Sequence, residues 1–515
     1  MRARANSVSP TTDATSAENK SGAPSSMPNP RSARTRHLAK ASTLATAGVV
    51  ACCVLAALLA LRHLGTKPLW VDEAASWVAA RKSVPHLLGM LRQTDANSGL
   101  YYVLLHFWLR LGHGQAWDRG LSAVFGIGAV GAAGWCGGRW RGPVAAVGAA
   151  LLLAVNPFWL YYSQEMRSYS LALLLAVVST GTLLGALRRP DRRRLAAYWV
   201  ATTLLIYADL FSILFVASQA AVLVWRGQGR RLLPAWVATA LCSAPLGLYM
   251  VIVERDQVSW LGRPSPLTLV HTVLGYTGHA FGLVLFAPLG VAALLSHRAR
   301  RDTDLTWPLV IAATAPFIVL WLVSQVDHLF IDRYLIASLA AIVLVAAAGL
   351  AELCDRHLVV IASVLAGALC VVGLAYDQHL YHEPFKNDDP RSAARYIAAR
   401  DKAGDLIVYT NDYLRPPVDL YLPPAGRPID IALADISEAE ASDRLYPKEV
   451  SAGLLAGRLA DAKRVWVVAR SGYTASEAAT RVSLTNRLVP TEYAEFGNMR
   501  VWLWSSPIRA ISGST

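Results

Sequence analysis

From residue 41 to residue 376 the chain alternates long apolar stretches with short, mostly basic links, and beyond that its character changes. The apolar stretches fall at 41–61, 121–138, 143–160, 170–187, 196–208, 210–225, 232–253, 279–296, 306–326, 334–351 and 358–376. A bilayer core takes about 20 helical residues to cross, so the pattern predicts about eleven transmembrane helices. The links carrying Arg139/Arg141, Arg188 to Arg194, Arg226/Arg230/Arg231, Arg298/Arg300/Arg301 and Arg356 are expected in the cytoplasm, because arginine translocates poorly. Every second link is then outside. Stretches 196–208 and 210–225 are short for two crossings, so their outer ends are expected to form a recess.

One further stretch, Leu100-Tyr-Tyr-Val-Leu-Leu-His-Phe-Trp-Leu-Arg-Leu111, is apolar but short. Counting it as a crossing would put the Arg139 link outside, so it is expected to lie as an interfacial helix with its aromatic rings at headgroup level. The consequence is a long first outer loop, residues 63–120.

Three regions result. Residues 1–41 are rich in Ser, Ala, Thr, Pro and Arg with almost no large apolar side chain, and are expected to be a disordered cytoplasmic tail. Residues 42–376 form the membrane domain. Residues 377–515 show alternation and polar turns, and parity puts them outside as a soluble α/β domain. In it, Asp388 to Arg400 has helical spacing with a capping start, while Asp405-Leu-Ile-Val-Tyr-Thr410 and Arg464-Val-Trp-Val-Val-Ala469 read as buried strands, expected in a parallel sheet.

Composition agrees: 54% of the 515 residues are hydrophobic and only 16% charged. The net charge of +14 lies mainly in the links, a positive-inside signature and not a nucleic-acid footprint, which needs a basic stripe on a soluble face. The six cysteines lie in or beside apolar stretches without metal-ligand spacing, so neither disulfide staples nor a zinc site are indicated.

Candidate chemistry gathers at the outer boundaries. Leu69-Trp-Val-Asp-Glu-Ala-Ala-Ser-Trp77 sets two carboxylates, Asp72 and Glu73, just after the first anchor. By itself an Asp-Glu pair is more often a solvated loop or helix cap; at a membrane surface it can also supply a general base for an attacking hydroxyl. Asn156-Pro-Phe-Trp-Leu-Tyr-Tyr-Ser-Gln-Glu-Met-Arg-Ser-Tyr-Ser170 places Gln164, Glu165, Arg167 and Tyr169 between two apolar spans. A charge there costs about 2.5–3.5 kcal/mol, so these groups should pair, for instance Glu165 with Arg167, or face a wet cavity. Arg119 and Arg333 lie outside against the charge trend; each could bind a phosphate through its planar fork of donors, or pair with its neighbour, Asp118 or Asp332.

Taken in order, Trp70-Val-Asp-Glu-Ala74, Leu100 to Arg110, Arg119-Gly-Leu-Ser-Ala-Val-Phe-Gly126, Tyr161-Tyr-Ser-Gln-Glu-Met-Arg-Ser-Tyr169, Asp332-Arg-Tyr-Leu335 and the segment Ala394-Arg-Tyr-Ile397 with Gly404-Asp-Leu-Ile407 resemble bacterial members of the GT-C glycosyltransferases, relatives of protein O-mannosyltransferases and the lipid A aminoarabinose transferase. The resemblance spans roughly residues 65–410. It implies an inverting transfer of a sugar, mannose or a pentose, from a polyprenyl-phosphate donor to an envelope glycan, glycolipid or protein at the outer face of the cell membrane. Asp72 would be the general base and Glu73 would orient the loop or the acceptor. Gln164, Glu165, Arg167 and Tyr169 would line the sugar and phosphate site, with Arg119, Arg333 and Tyr334 near the departing phosphate. Many relatives carry His in the outer turn that reads Ile206-Tyr-Ala-Asp-Leu-Phe211 here, so Asp209 takes that place; it and His106 are the candidates for an acceptor or metal contact. No cofactor is identified, and a divalent cation is left open because no compact ligand cluster is visible. The competing classes are a transporter or flippase, which would usually show an internal repeat, and an assembly protein, which leaves Gln164 to Arg167 unexplained.

Overall fold

The computed structural model describes residues 30–253, 261–301, 304–382, 387–434, 442–471, 480, 484 and 488–506. Residues 1–29 of the expected tail lie outside the described residues, and 30–41 are helical. By compactness the chain divides into Met1–Leu44 and Ala45–Thr515. The second unit carries the cavities, the C-terminal domain and every candidate site residue.

The helices that position the site are α1 (Pro30–Leu61), α2 (Val71–Arg81), α3 (Val84–Leu91), α4 (Gly99–Trp108), α5 (Gln115–Arg141), α6 (Pro143–Ala154), α7 (Pro157–Ser163), α8 (Tyr169–Arg188), α9 (Arg192–Ala208), α10 (Ser212–Trp225), α11 (Gly229–Val253), α12 (Pro266–Thr277), α13 (His279–Leu294), α14 (Thr306–Val323), α15 (Ala337–Asp355) and α16 (Val359–His382). Among the described residues seven helices are long and apolar enough to cross a membrane, or nine if each of two bent pairs counts as one span. Among the described residues one shorter apolar helix, α10, adds a tenth at most, so the expected number of eleven is not reached. The predicted span 143–160 is broken: α6 and α7 meet at 62°, because Asn156 ends one helix and caps the next, its Oδ1 accepting from the Trp159 amide at 3.1 Å. A similar bend of 73° separates α12 from α13 at Gly278, whose φ of +71° suits glycine.

Close helix packing rests on small residues. A Cβ built on Gly349 of α15 would lie 2.0 Å from the Leu289 carbonyl oxygen of α13, and one on Gly137 of α5 2.4 Å from that of Ala145 in α6. Such backbone approach supplies the van der Waals contact that holds helices together where lipid removes the hydrophobic driving force. The segment 63–120 is mostly helical, holding α2, α3 and α4; the short apolar stretch 100–111 contains α4, with Tyr101, Tyr102, Leu105 and His106 buried.

The C-terminal domain contains α17 (Pro390–Ala398), β1 (Leu406–Tyr409), α18 (Arg415–Asp419), β2 (Ile429–Asp430), α19 (Ala452–Leu459), β3 (Arg464–Arg470), β4 (Val489–Phe496) and β5 (Met499–Ser505). Its sheet runs β2-β1-β3-β5-β4. The pairs β1/β2 and β1/β3 are parallel, but β3/β5 and β4/β5 are antiparallel. The sheet is therefore mixed where a parallel one was expected; the tight turn joining β4 to β5 at Gly497 makes an antiparallel hairpin.

Strand alternation gives this sheet two buried faces. Val465, Val467 and Ala469 of β3 pack on one, with Trp502 and Trp504. Trp466 and Val468 pack on the other, with Ile397, Leu414 and Val418. Trp70 and Val71 of the 63–120 segment complete that second core. The residue after them is Asp72, so the C-terminal domain fixes the start of the helix that carries it.

Candidate active site

Asp72 and Glu73 are neighbours with opposite environments. Glu73 is fully buried and accepts four hydrogen bonds: from Arg119 Nε at 2.7 Å and Nη2 at 2.6 Å, from the Met166 amide at 2.9 Å, and from the Trp70 amide at 3.4 Å. That fills the lone-pair capacity of a carboxylate. Glu73 therefore holds the loop in place and has no face for a substrate. Asp72, one position away on the helix, has a side chain 27% exposed and lines a cavity of about 900 Å³.

Arg119 does not reach this cavity, in contrast to the expectation of a phosphate contact. Besides its two bonds to Glu73, Nη1 donates to the carbonyls of Leu64 and Lys67 and Nη2 to that of Pro68. All five N–H groups of the fork are engaged within the protein, and the partner is Glu73 in place of the adjacent Asp118. Gln164 is likewise structural: Nε2 donates to the carbonyls of Ala60 at 3.1 Å and Arg62 at 2.7 Å, closing the end of α1. Glu165 is buried and accepts from Trp70 Nε1 at 3.0 Å. It forms no ion pair with Arg167, which points elsewhere.

Arg167 faces the cavity, where Nη1 donates to the Tyr102 hydroxyl at 2.7 Å and lies 3.5 Å from Asp95 Oδ2. Arg333 also lines it and donates from Nη2 to Asp72 Oδ2 at 3.0 Å. Its guanidinium lies 5.6 Å from the centre of the Trp70 ring and 5.9 Å from that of Tyr169. Burial works against the charge on Arg333, but Tyr169 and Asp72 outweigh it and hold its pKa well above the usual value. Tyr334 turns away and stacks on Phe211 at 4.4 Å. Its neighbour Asp332, the alternative ion partner of Arg333, instead accepts from the Arg333 amide at 2.8 Å.

The remaining expected residues lie apart. His106 is buried, with Nδ1 donating to the Ala80 carbonyl at 2.8 Å. Asp209 is buried and accepts from Ser212 Oγ at 2.9 Å at the start of α10. Neither lines the large cavity. Among the described residues no three His, Cys, Asp or Glu side chains gather as a metal-binding group, and the six cysteines are unpaired.

Several cavity residues escape a reading of the sequence. Asp95 sits in left-handed backbone, φ 59°, after α3, a place where Asp is among the few tolerated side chains. His271 comes from α12, Tyr446 from a loop of the outer domain and Arg470 from the end of β3, paired with Asp388 at 3.1 Å. Only Asp95 left a trace, in the polar run Thr94-Asp-Ala-Asn97. The cavity thus mixes carboxylates at Asp72, Asp95 and Asp332 with cations at Arg167, Arg333 and Arg470.

No family model matches the sequence, and no curated protein matches it. Solved structures do. ArnT from Cupriavidus metallidurans in the apo state is 15% identical with a TM-score of 0.59, over 89% of this chain and 98% of that one. The same protein bound to undecaprenyl phosphate is 14% identical, again with a TM-score of 0.59 and the same coverage. The Archaeoglobus fulgidus oligosaccharyltransferase, in complex with Zn and sulfate, is 14% identical with a TM-score of 0.52, over 88% of this chain and 73% of that one. The chain has the fold of ArnT and of the oligosaccharyltransferase. In this fold the membrane helices and the C-terminal sheet domain both contribute walls to the cavity that holds Asp72.

Proposed function

We propose that this protein is a multi-pass membrane glycosyltransferase that moves a sugar, mannose or a pentose, from a polyprenyl-phosphate donor to a hydroxyl of an envelope glycan, glycolipid or protein. The supporting observation is the Asp72–Arg333 pair on the wall of a cavity also lined by Arg167. The acceptor oxygen attacks the anomeric carbon and passes its proton to Asp72. The bond from that carbon to the phosphate oxygen breaks, and its electron pair leaves on the phosphate. Arg333 and Arg167 offer cationic donors where that charge appears. Direct displacement inverts the anomeric centre, and no covalent enzyme intermediate is needed.

In this reading Glu73 and Arg119 hold the loop, Gln164 and Glu165 brace it, and Tyr169 packs beside Arg333. Phosphate binding falls to Arg333 and Arg167. Residues 1–41 and the basic links face the cytoplasm, while the 63–120 loop and residues 377–515 face outward at the cell membrane. That placement puts the base beside a lipid phosphate at the outer interface.

The test is to compare the envelope glycans, glycolipids and glycoproteins of a strain lacking the gene, complemented with the wild-type chain or with Asp72→Asn. A sugar lost on deletion should return with the wild type alone. An envelope unchanged by deletion, or restored in full by Asp72→Asn, would sink the proposal.

A further inference from the structure

Across α2 from Asp72 lies a second cavity of about 350 Å³, within the ~300–1,000 Å³ usual for small-ligand sites. Trp77 and Arg81 of α2, His113, Asp118 of α5 and Tyr421 of the outer domain line it. Trp77 follows Asp72 by five positions, which at 3.6 residues per turn rotates it roughly 140° about the helix. One helix therefore presents a carboxylate to the first cavity and an indole ring to the second. Part of the wall, the segment 109–114, is fixed by two stacked tryptophans that donate to each other's carbonyls: Trp108 Nε1 to Trp117 at 2.7 Å, and Trp117 Nε1 to Trp108 at 3.1 Å. The cavity is thus held open by its own frame.

Asp118 limits what the cavity can hold. The residue is only 7% exposed, and among the described residues its carboxylate accepts no hydrogen bond. Arg119 and Arg81 act on it as positive groups and Glu73 as an acid. A largely buried carboxylate that no protein group donates to favours a ligand that supplies donors over an apolar one. An anion would meet Asp118, and a cation would meet Arg81. A neutral polyol suits both signs, since its hydroxyls can donate to Asp118 and accept from Arg81. The C–H faces of a sugar ring pack against aromatic surface; Trp77 and Tyr421 line the cavity, with Arg81 4.5 Å over one face of the Trp77 ring and Arg391 5.3 Å over one face of the Tyr421 ring.

We propose that this second cavity binds a neutral saccharide unit, belonging to the acceptor at a distance from the hydroxyl that reacts. Its assignment to the acceptor rests on the transferase reading; the saccharide site itself does not. The acceptor is then an oligosaccharide long enough to pass around α2.

Full-length protein in lipid nanodiscs, without donor, is titrated with hexasaccharides of α-linked mannose, α-linked arabinose and β-linked glucose, with saturation-transfer NMR as the readout. At least one should bind, with affinity falling roughly tenfold in Trp77→Ala and in Asp118→Asn and largely kept in Trp77→Phe. No binding by any of the three sugars overturns the site. So does binding unchanged in Trp77→Ala and Asp118→Asn, or binding lost in Asp72→Asn but not in Trp77→Ala, which would place the sugar in the large cavity. A loss in Trp77→Ala that Trp77→Phe does not rescue points to misfolding and counts against the site. Binding as expected with no sugar transfer by the protein sinks the transferase reading alone; transfer with variant-insensitive binding sinks the saccharide site alone.

Discussion

Arg333 donates from Nη2 to Asp72 Oδ2 across 3.0 Å, joining two residues 261 positions apart. The contact ties the first outer loop to the turn that precedes α15, and it is made on the wall of the large cavity. Arg333 orients the carboxylate, and in the proposed transfer a leaving phosphate takes over its donors.

If Asp72 is the general base, Asp72→Asn should keep the protein in the membrane at normal abundance and cut transfer roughly 10²–10⁴-fold. A radiolabelled polyprenyl-phosphate sugar incubated with purified protein and envelope acceptor reads this directly. Wild-type rates in the variant would remove Asp72 from that role.

Glu73 and Arg119 should behave as a structural pair. Removing one partner leaves the other buried and uncompensated, a loss of about 3–5 kcal/mol. Glu73→Ala and Arg119→Ala should each lower the thermal midpoint and the yield of folded protein sharply, and the double variant should be less destabilised than the sum of the two. Additive losses would show that the pair is not coupled.

Helix packing gives a test away from the site. Gly349→Ala places a methyl 2.0 Å from the Leu289 carbonyl oxygen, so α13 and α15 must separate, at about 1–3 kcal/mol. Gly290→Ala, where a Cβ meets nothing within 4 Å, should be tolerated. Equal thermal midpoints for the two variants would contradict the close approach.

Asp388 should make stability pH-dependent. Burial pushes its carboxyl above the ordinary 3.8, against the opposing pull of Arg470. A raised folded-state pKa means that the folded form binds the proton more tightly. The stabilisation is full below 3.8 and is lost as the pH rises through the raised value. Thermal midpoints of the full chain across that window should fall with pH, and Asp388→Asn should flatten the slope. An unaltered slope would assign it to other groups.

Orientation is checked at Leu111, whose side chain is 74% exposed. In a cysteine-free background, Leu111→Cys should react with a membrane-impermeant maleimide on intact cells. Labelling only after the membrane is opened would reverse the topology.

Periodicity and charge placement made most of the architecture legible. The apolar stretches, the short helix α4, the outer domain and strands β1 and β3 all follow from runs that cannot be stable in water or from alternation that needs two buried faces. Asp72, Arg167 and Arg333 were also visible, as polar groups beside apolar stretches that lipid would penalise unless they paired or faced a wet cavity, and all three line the large cavity. The break at Asn156 was not, because an Asn-Pro step inside an apolar run reads the same whether it bends a span or ends it; packing against Tyr276, whose carbonyl accepts from Asn156 Nδ2 at 3.0 Å, decides.

The sequence by itself determined that this chain is a multi-pass membrane protein followed by a domain of different character, with acids and arginines beside its apolar stretches, since hydropathy and charge are properties of the residues wherever they sit. It could not decide which of those groups face one another. Asp72 and Glu73 are adjacent, yet one reaches a cavity and the other is sealed by Arg119, and Arg119 and Arg333 looked alike until their partners were known. Pairing depends on which distant segments are brought within hydrogen-bonding reach, about 3 Å, and only the tertiary packing of α2 between the membrane helices and the outer sheet sets that.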